Sequence, residues 1–470
     1  MRGSCNTANL RKPESEFSAA VLADLLFGEL GLPDAPVLRL AYSGGLDSSV
    51  LLHALAELRG SRRFMLAAIH VDHGLHPDSD KWARHCAEVC RQLDAPFTLQ
   101  RVSVTGRDEE GLEAAARRAR YAALRQGLAP GEFLLTAHQR DDQAETLLLQ
   151  LLRGSGIAGQ AAMPARARFG AGELLRPLLN FPRASLMAYA ERQRLVWIED
   201  PSNGDTRLRR NFLRAEILPR LAGHWPDAAA ALARSAMHAA EALELLDELA
   251  EADLALCLDG DQRYPWALSV TALTGLTPAH QRNLLRLWLR RQGFVAPTTR
   301  HLNELLARVR HTPQSRQSCV SWPGVGIWRY RDRLVALPAR ALPDPLLEAN
   351  WNLAQPFEIP GVGRLLARPS TTREVPRLRA LGSVHVRLRQ GGETLLLPGR
   401  HHHHALKKLI QAAGIPPWER HRLPLFYAGD RLAAVADRWV CAGFAATDDE
   451  PGLQIVWEPF ELTCASREFR

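Results

Sequence analysis

The sequence predicts an α/β protein whose N-terminal half is a doubly wound parallel sheet, followed by a mostly helical middle portion and a small α+β C-terminal portion. Three observations carry that expectation. Between residues 37 and 152, apolar strand-like runs alternate with helix-patterned segments, the rhythm of parallel strands joined by crossover helices. Clusters of Gly, Asp, His and Glu fall just after those runs, where open α/β sheets present their ligand sites. Beyond Pro226 the pattern turns Ala- and Leu-rich and helical, and beyond Val386 it breaks into short apolar runs punctuated by Gly and Pro.

The apolar run from Val37 feeds into Ser43-Gly44-Gly45-Leu46-Asp47-Ser48-Ser49 and then into a helical Val50-Leu-Leu-His-Ala-Leu-Ala. Two glycines allow a tight turn, and the free N–H groups opening the next helix point at negative charge. Asp47 is placed to hold a metal that shields pyrophosphate. No Gly-Lys-Ser/Thr follows, and the three-glycine dinucleotide spacing is absent. The string resembles instead the PP-loop of ATP pyrophosphatases, which split ATP to AMP and pyrophosphate.

Phe64 to Val71 reads as the second strand, ending in Asp72-His73-Gly74-Leu75; Lys81 to Leu93 is a helix and Phe97 to Val104 the third strand. Gly111 to Gln126 is helical, and Phe133 to Ala137 is a fourth strand delivering His138. A helix beginning near Asp141 places Asp142 and Glu145 three apart on one face of its first turn. There they can complement the helix dipole, or serve a magnesium ion or a cationic substrate amine. Arg153-Gly-Ser-Gly-Ile-Ala-Gly159 is a helix stop or a point of close ligand approach. Arg207, Arg209, Arg210 and Arg214 then fall within eight residues of a turn-rich segment and could meet phosphates.

A length of 470 residues with 46% hydrophobic and 23% charged residues is that of a globular protein and excludes wholesale disorder. The net charge of +8 suits a polyanionic partner and is equally compatible with mere solubility. Seven scattered cysteines without a Cys-x-x-Cys pair argue against a disulfide frame, a zinc site or an iron–sulfur cluster, and for reduced thiols in a cytoplasmic protein. No apolar run nears the ~20 residues that span a bilayer. The expected organisation is a loose leader over 1–20, a catalytic domain over 21–225, a helical middle domain over 226–340, a linker with a β segment over 341–385, and a C-terminal domain over 386–470.

Arg282, Arg286 and Arg290 stripe a helix over Pro278 to Arg291, a pattern suited to an RNA backbone or to a solvated face. Lys407, Lys408, Arg420 and Arg422 form a second basic group, around a helix that stops at Gly414. The contiguous His401 to His404 cannot all converge on one ion, and no role is assigned to them.

VDHGL at 71–75, AHQRDDQAET at 137–146, LLRGSGIAG at 151–159 and EDPSNGDTRLRRNFLR at 199–214 occur in the order seen in bacterial tRNA(Ile)-lysidine synthases, which the chain resembles over residues 35–225 and again from Val386 to Phe444. The resemblance implies an N-terminal domain of the PP-loop, adenine nucleotide alpha hydrolase-like type and later domains that engage tRNA. It implies adenylation of O2 of the wobble cytidine in a tRNA(Ile) with a CAU anticodon, then attack of free L-lysine at C2 with loss of AMP. ATP and Mg²⁺ are the implied cofactors, with Ser43, Gly44, Gly45, Leu46, Asp47 and Ser48 around ATP and Asp47 on Mg²⁺. Asp142 and Glu145 match the acidic pair that orients lysine, and Arg117 and Arg210 match arginines contacting phosphate or the activated base. Arg282, Arg286, Arg290, Lys407, Lys408 and Arg420 are the expected tRNA contacts. No membrane partner is expected, and a homodimer is compatible. The family often has Arg where this chain has His76. Two alternatives stay open: another PP-loop tRNA modifier such as a thiolase, or a non-catalytic tRNA- or nucleotide-binding protein.

Overall fold

The computed structural model describes residues 16–105, 111–260, 264–311, 318–338, 346–372, 375–447 and 450–459. It comprises two compact units, Met1–Leu245 and Leu246–Arg470.

The first unit is built on a six-stranded sheet of β1 (Val37–Ala41), β2 (Met65–Asp72), β3 (Phe97–Arg101), β4 (Glu132–Leu135), β5 (Arg166–Phe169) and β6 (Gly172–Leu175), in the order β3-β2-β1-β4-β6-β5. All neighbours are parallel except β5 against β6. The chain steps outward from β1 to β3 and then returns to the other side of β1 with β4, so the order reverses between β1 and β4. Side chains alternate between two cores with the period of a strand. Leu38, Leu40, Leu66, Ala68, Phe133 and Leu135 face one core with Leu51, Leu52 and Leu55 of the helix Leu46–Leu58. Ile69 and Leu134 face the other with Leu124 and Leu128. The expected doubly wound sheet is therefore present.

Two differences from expectation stand out here. The β5–β6 hairpin was not anticipated; it turns at Gly170, at φ +60°, and a Cβ on Gly172 would lie 2.3 Å from the Glu132 carbonyl oxygen. Residues 16–20, expected in a loose leader, are packed: Phe17 is fully buried edge-on to Phe181 and Tyr189, both at 5.1 Å, and Ser18 caps the helix Ala19–Ala23. The rest of that leader, residues 1–15, lies outside the described residues.

The 30-residue helix Ala228–Cys257 spans the division between the units. In the second unit, the helices Val270–Gly275, Pro278–Arg291 and Thr299–His311 share a core around Trp288 with a four-stranded antiparallel sheet. The middle is mostly helical as expected, and that sheet is an addition to it. Its central hairpin, Val325–Tyr330 with Arg333–Pro338, turns through Arg331 at φ +56°, a residue that gives no turn signal in the sequence.

The expected linker is corrected. Glu348–Asn352 pairs with Ser383–Leu388 and Gly363–Ser370 pairs with Gly452–Pro459, so its Trp351 and Leu365 belong to the C-terminal core. The helix Leu406–Ala412 stops where expected, with Gly414 at φ +66°. No described helix is long and apolar enough to cross a membrane.

Candidate active site

The site lies at the carboxyl ends of β1 and β4, where the strand order reverses. Leaving β1, the chain turns through Gly44 at φ +81°, and Gly45 caps the helix that opens at Leu46. A side chain at Gly44 would meet Ile198 Cδ1 at 2.5 Å and Cys86 Sγ at 2.8 Å. The residue must therefore be glycine for both its conformation and its space. Ile198 N–H donates to the Gly44 carbonyl at 2.8 Å, tying the segment before Glu199 to the loop.

Hydroxyl groups brace the turn from within. Ser43 Oγ lies 3.0 Å from Ser48 Oγ and accepts the Gly45 N–H at 3.3 Å, while Ser48 and Ser49 donate to the Gly45 and Gly44 carbonyls. The N–H groups of Leu46, Asp47 and Ser48 open the helix and have no intrahelical acceptor, which makes this a cradle for an anion. Asp47 sits at its centre with Oδ1 buried and without a hydrogen-bond partner. Burial, reinforced by the charge of Asp142, pushes its carboxyl up to about 6 against the opposing pull of Arg183 and Arg214. A buried oxygen donor with an open lone pair fits Mg²⁺, which typically takes one or two carboxylates and completes its shell with substrate phosphates and water. No cluster of three or more metal-ligating side chains occurs among the described residues.

At the end of β4, Gln139 and Asp142 form a reciprocal capping box on the helix Arg140–Leu152. Asp142 Oδ2 accepts the Gln139 N–H at 3.0 Å. One turn on, Glu145 is fully buried. Both carboxylates are met by arginines from the segment 209–217. Arg210 donates to Glu145 Oε2 at 2.7 Å and to Asp142 Oδ1 at 3.1 Å. Arg214 donates to Glu145 Oε1 at 2.6 Å, to Glu145 Oε2 at 3.1 Å and to Asp142 Oδ1 at 2.9 Å. The two arginines, four apart, share a face as the helix Arg209–Phe212 runs on into a π-turn at Leu213–Ile217. Pro219, which has no N–H and crowds the carbonyl four residues back, supplies a local reason for that turn.

Asp142 and Glu145 thus come together on one face of the helix, as the sequence suggested, and the charge of Asp142 reaches Asp47. Arg210 does not stand free for a phosphate or a base; its guanidinium is on the carboxylate pair. Arg117 lies on the helix Leu112–Gln126 with its guanidinium over the Tyr121 ring, 5.0 Å from the centroid. Its charge acts, with those of Arg176 and Arg210, on His138, whose imidazole is held neutral chiefly by burial. Sequence reasoning gave Arg214 no individual role, although the i, i+4 spacing of Arg210 and Arg214 was a usable signal.

The expected tRNA contacts divide by exposure. Lys407 and Lys408 are exposed on the helix Leu406–Ala412. Arg282 and Arg286 have no ion-pair partner among the described residues, and burial, with the charge of Arg282 second, lowers the pKa of Arg286. Arg290 is paired with Asp247 at 2.5 Å. Arg420 donates to the Ile415 carbonyl at 2.9 Å and lies over the Tyr330 ring. Arg422 is buried and donates to the Gly361 carbonyl at 3.1 Å, so it is no part of a basic surface.

Three family models match the chain: a PP-loop domain over residues 21–221, a TilS substrate binding domain over 268–335 and a TilS substrate C-terminal domain over 384–457. The tRNA(Ile)-lysidine synthase of Methylococcus capsulatus is 43% identical over 91% of this chain and 98% of its own length. That of Xanthomonas campestris is 45% identical over 87% and 92%, and that of Coxiella burnetii 41% over 89% and 93%. With the loop, the carboxylate pair and all three matched domains in one chain, this protein belongs to the tRNA(Ile)-lysidine synthase family.

Proposed function

We infer that the chain is a ligase that joins L-lysine to C2 of the wobble cytidine of a CAU-anticodon tRNA(Ile), consuming ATP and releasing AMP and pyrophosphate. The observation that carries this reading is the juxtaposition of an anion cradle with the acidic Asp142–Glu145 pair at one strand-order reversal. The cytosine carbonyl oxygen is a poor leaving group. Attack of O2 on the α-phosphorus of ATP expels pyrophosphate and converts that oxygen into part of an adenylate. The helix-initial amides of residues 46–48 stabilise the charge gathering on the phosphates. Asp47 would hold Mg²⁺, which supplies further charge neutralisation there.

The lysine ε-amine then forms the C2–N bond as the C2–O bond breaks, AMP departs and the nitrogen gives up a proton. An unperturbed lysine has a pKa of ~10.4, so the amine must be captured as a cation and deprotonated before attack. Asp142 and Glu145 are the acids in reach for both tasks. The exposed Lys407 and Lys408, with Arg282 and Arg286, suit the tRNA backbone. The five described cysteines are all free, in keeping with a reducing cytoplasm. A homodimer is also proposed, and a single species of one-chain mass on ultracentrifugation would remove it.

The test is incorporation of labelled lysine into a tRNA(Ile) transcript with a CAU anticodon in the presence of Mg·ATP, beside a transcript with uridine at the wobble position. Label in the first alone, with AMP in step, is the expected result. ATP cleavage without lysine transfer would point to another nucleophile, and thus to the thiolase alternative.

A further inference from the structure

Every oxygen of the carboxylate cluster is already hydrogen-bonded. Glu145 Oε1 is taken by Arg214 and Oε2 by both arginines; Asp142 Oδ1 is taken by both arginines and Oδ2 by the Gln139 N–H. Two negative and two positive charges make the cluster neutral. Each carboxylate already holds three charge-assisted hydrogen bonds of the roughly four it can accept, and Glu145 is fully buried, so a lysine ammonium arriving here would meet one lone-pair site on each and no net attraction; firm binding needs one guanidinium to leave. Arg210 is the more enclosed of the two, its side chain 20% exposed against 34% for Arg214, and it also donates to the Asp142 backbone carbonyl at 3.4 Å. Arg214 sits in the π-turn, a helical irregularity often found at functional sites. The charge of Asp47 on the loop also acts on it.

We propose that Arg214 is an exchangeable counter-charge: it covers Glu145 and Asp142 in the empty site and passes to the phosphates when ATP binds, opening the carboxylates to lysine. Arg214 is a positioning residue in this scheme, and it makes the binding order nucleotide first, lysine second. A triphosphate in the cradle offers the guanidinium bidentate oxygen acceptors equivalent to those it gives up. The lysine ammonium then replaces the lost charge on Glu145, so no buried carboxylate stays uncompensated. The inference rests on the reading that Asp142 and Glu145 hold lysine.

Equilibrium binding of labelled lysine to the full chain without tRNA, with and without Mg²⁺ and a non-cleavable α,β-methylene ATP, separates the two ideas. The wild type should bind lysine at least about 10-fold more tightly with the nucleotide analogue, a coupling of about 1.4 kcal/mol. Lysine must tighten the analogue by the same factor, because coupling is reciprocal. Arg214→Gln should lose the coupling, its nucleotide-free affinity for lysine rising to within about three-fold of its nucleotide-bound value. A wild-type ratio near one, undetectable lysine binding in both states, or an Arg214→Gln variant that keeps full coupling overturns the proposal. If that variant does not fold, the wild-type ratio and the reciprocal measurement decide alone. Glu145→Gln addresses the underlying reading: should it bind lysine as the wild type does, the carboxylate pair is not the lysine site, whatever Arg214 does.

Discussion

Asp47→Asn removes the charge on the loop carboxylate at nearly constant shape, and the structure gives the direction of its effect on stability. Burial and Asp142 raise the Asp47 carboxyl from 3.8 to about 6, so the folded protein holds this proton more tightly than the unfolded chain does. Stability is then lost as pH climbs from the unfolded value toward 6, because ionisation is penalised only in the fold. Two pH units at 1.36 kcal/mol each set a ceiling of about 3 kcal/mol. Residual solvent access brings the expected gain for Asn to about 1–2 kcal/mol above pH 6. For a unit of this size that is a rise of roughly 2–8 °C in the unfolding midpoint. The assay is thermal and urea unfolding of the nucleotide-free protein between pH 4 and 8, where the advantage of Asn should vanish near pH 4 and level off above pH 6. Added Mg·ATP should stabilise the wild type much more than the variant. A variant equal to or weaker than the wild type at pH 8, or a gain independent of pH, would refute the placement of Asp47 as a carboxylate destabilised by its burial.

Gly44→Ala forces a left-handed backbone onto a residue with a Cβ and drives that Cβ into Ile198 and Cys86. It should cost about 2–4 kcal/mol and weaken ATP binding at least tenfold, read by nucleotide titration. Glu145→Gln leaves two guanidiniums facing a neutral amide and should destabilise by about 2–4 kcal/mol, below the full cost for a wholly enclosed pair because both arginines reach solvent; urea unfolding checks it. Lys407→Ala and Lys408→Ala should each lower the slope of log affinity for tRNA against log salt by about 1 while leaving ATP binding unchanged. Arg422→Ala behaves oppositely: the buried guanidinium supports the Gly361 carbonyl, so stability falls by roughly 1–3 kcal/mol while the salt slope holds.

Much of the N-terminal unit was legible because its elements are local. The short apolar runs of β1, β2 and β4 and the glycine pair before Asp47 need only neighbouring residues to declare themselves. The β5–β6 hairpin and the middle four-stranded sheet were not, since short strands acquire their identity from partners distant in sequence. Glu348–Asn352 is a strand only because Ser383–Leu388 lies beside it. A linker reading of proline-rich sequence is the natural outcome when that partner is unseen.

The site divides in the same way. By itself the sequence determined which chemistry is present: a phosphate-binding turn, an aspartate on it, an acidic pair at a helix start and arginines after it, because these are properties of residue type and short spacing. Tertiary structure alone decided their state. Arg210 and Arg214 are 65 and 69 residues from Glu145 in the chain, and only the fold brings them onto it. Whether a carboxylate is an open receptor or a closed ion pair depends on such distant charges and on how little water reaches them, and no local pattern carries that information.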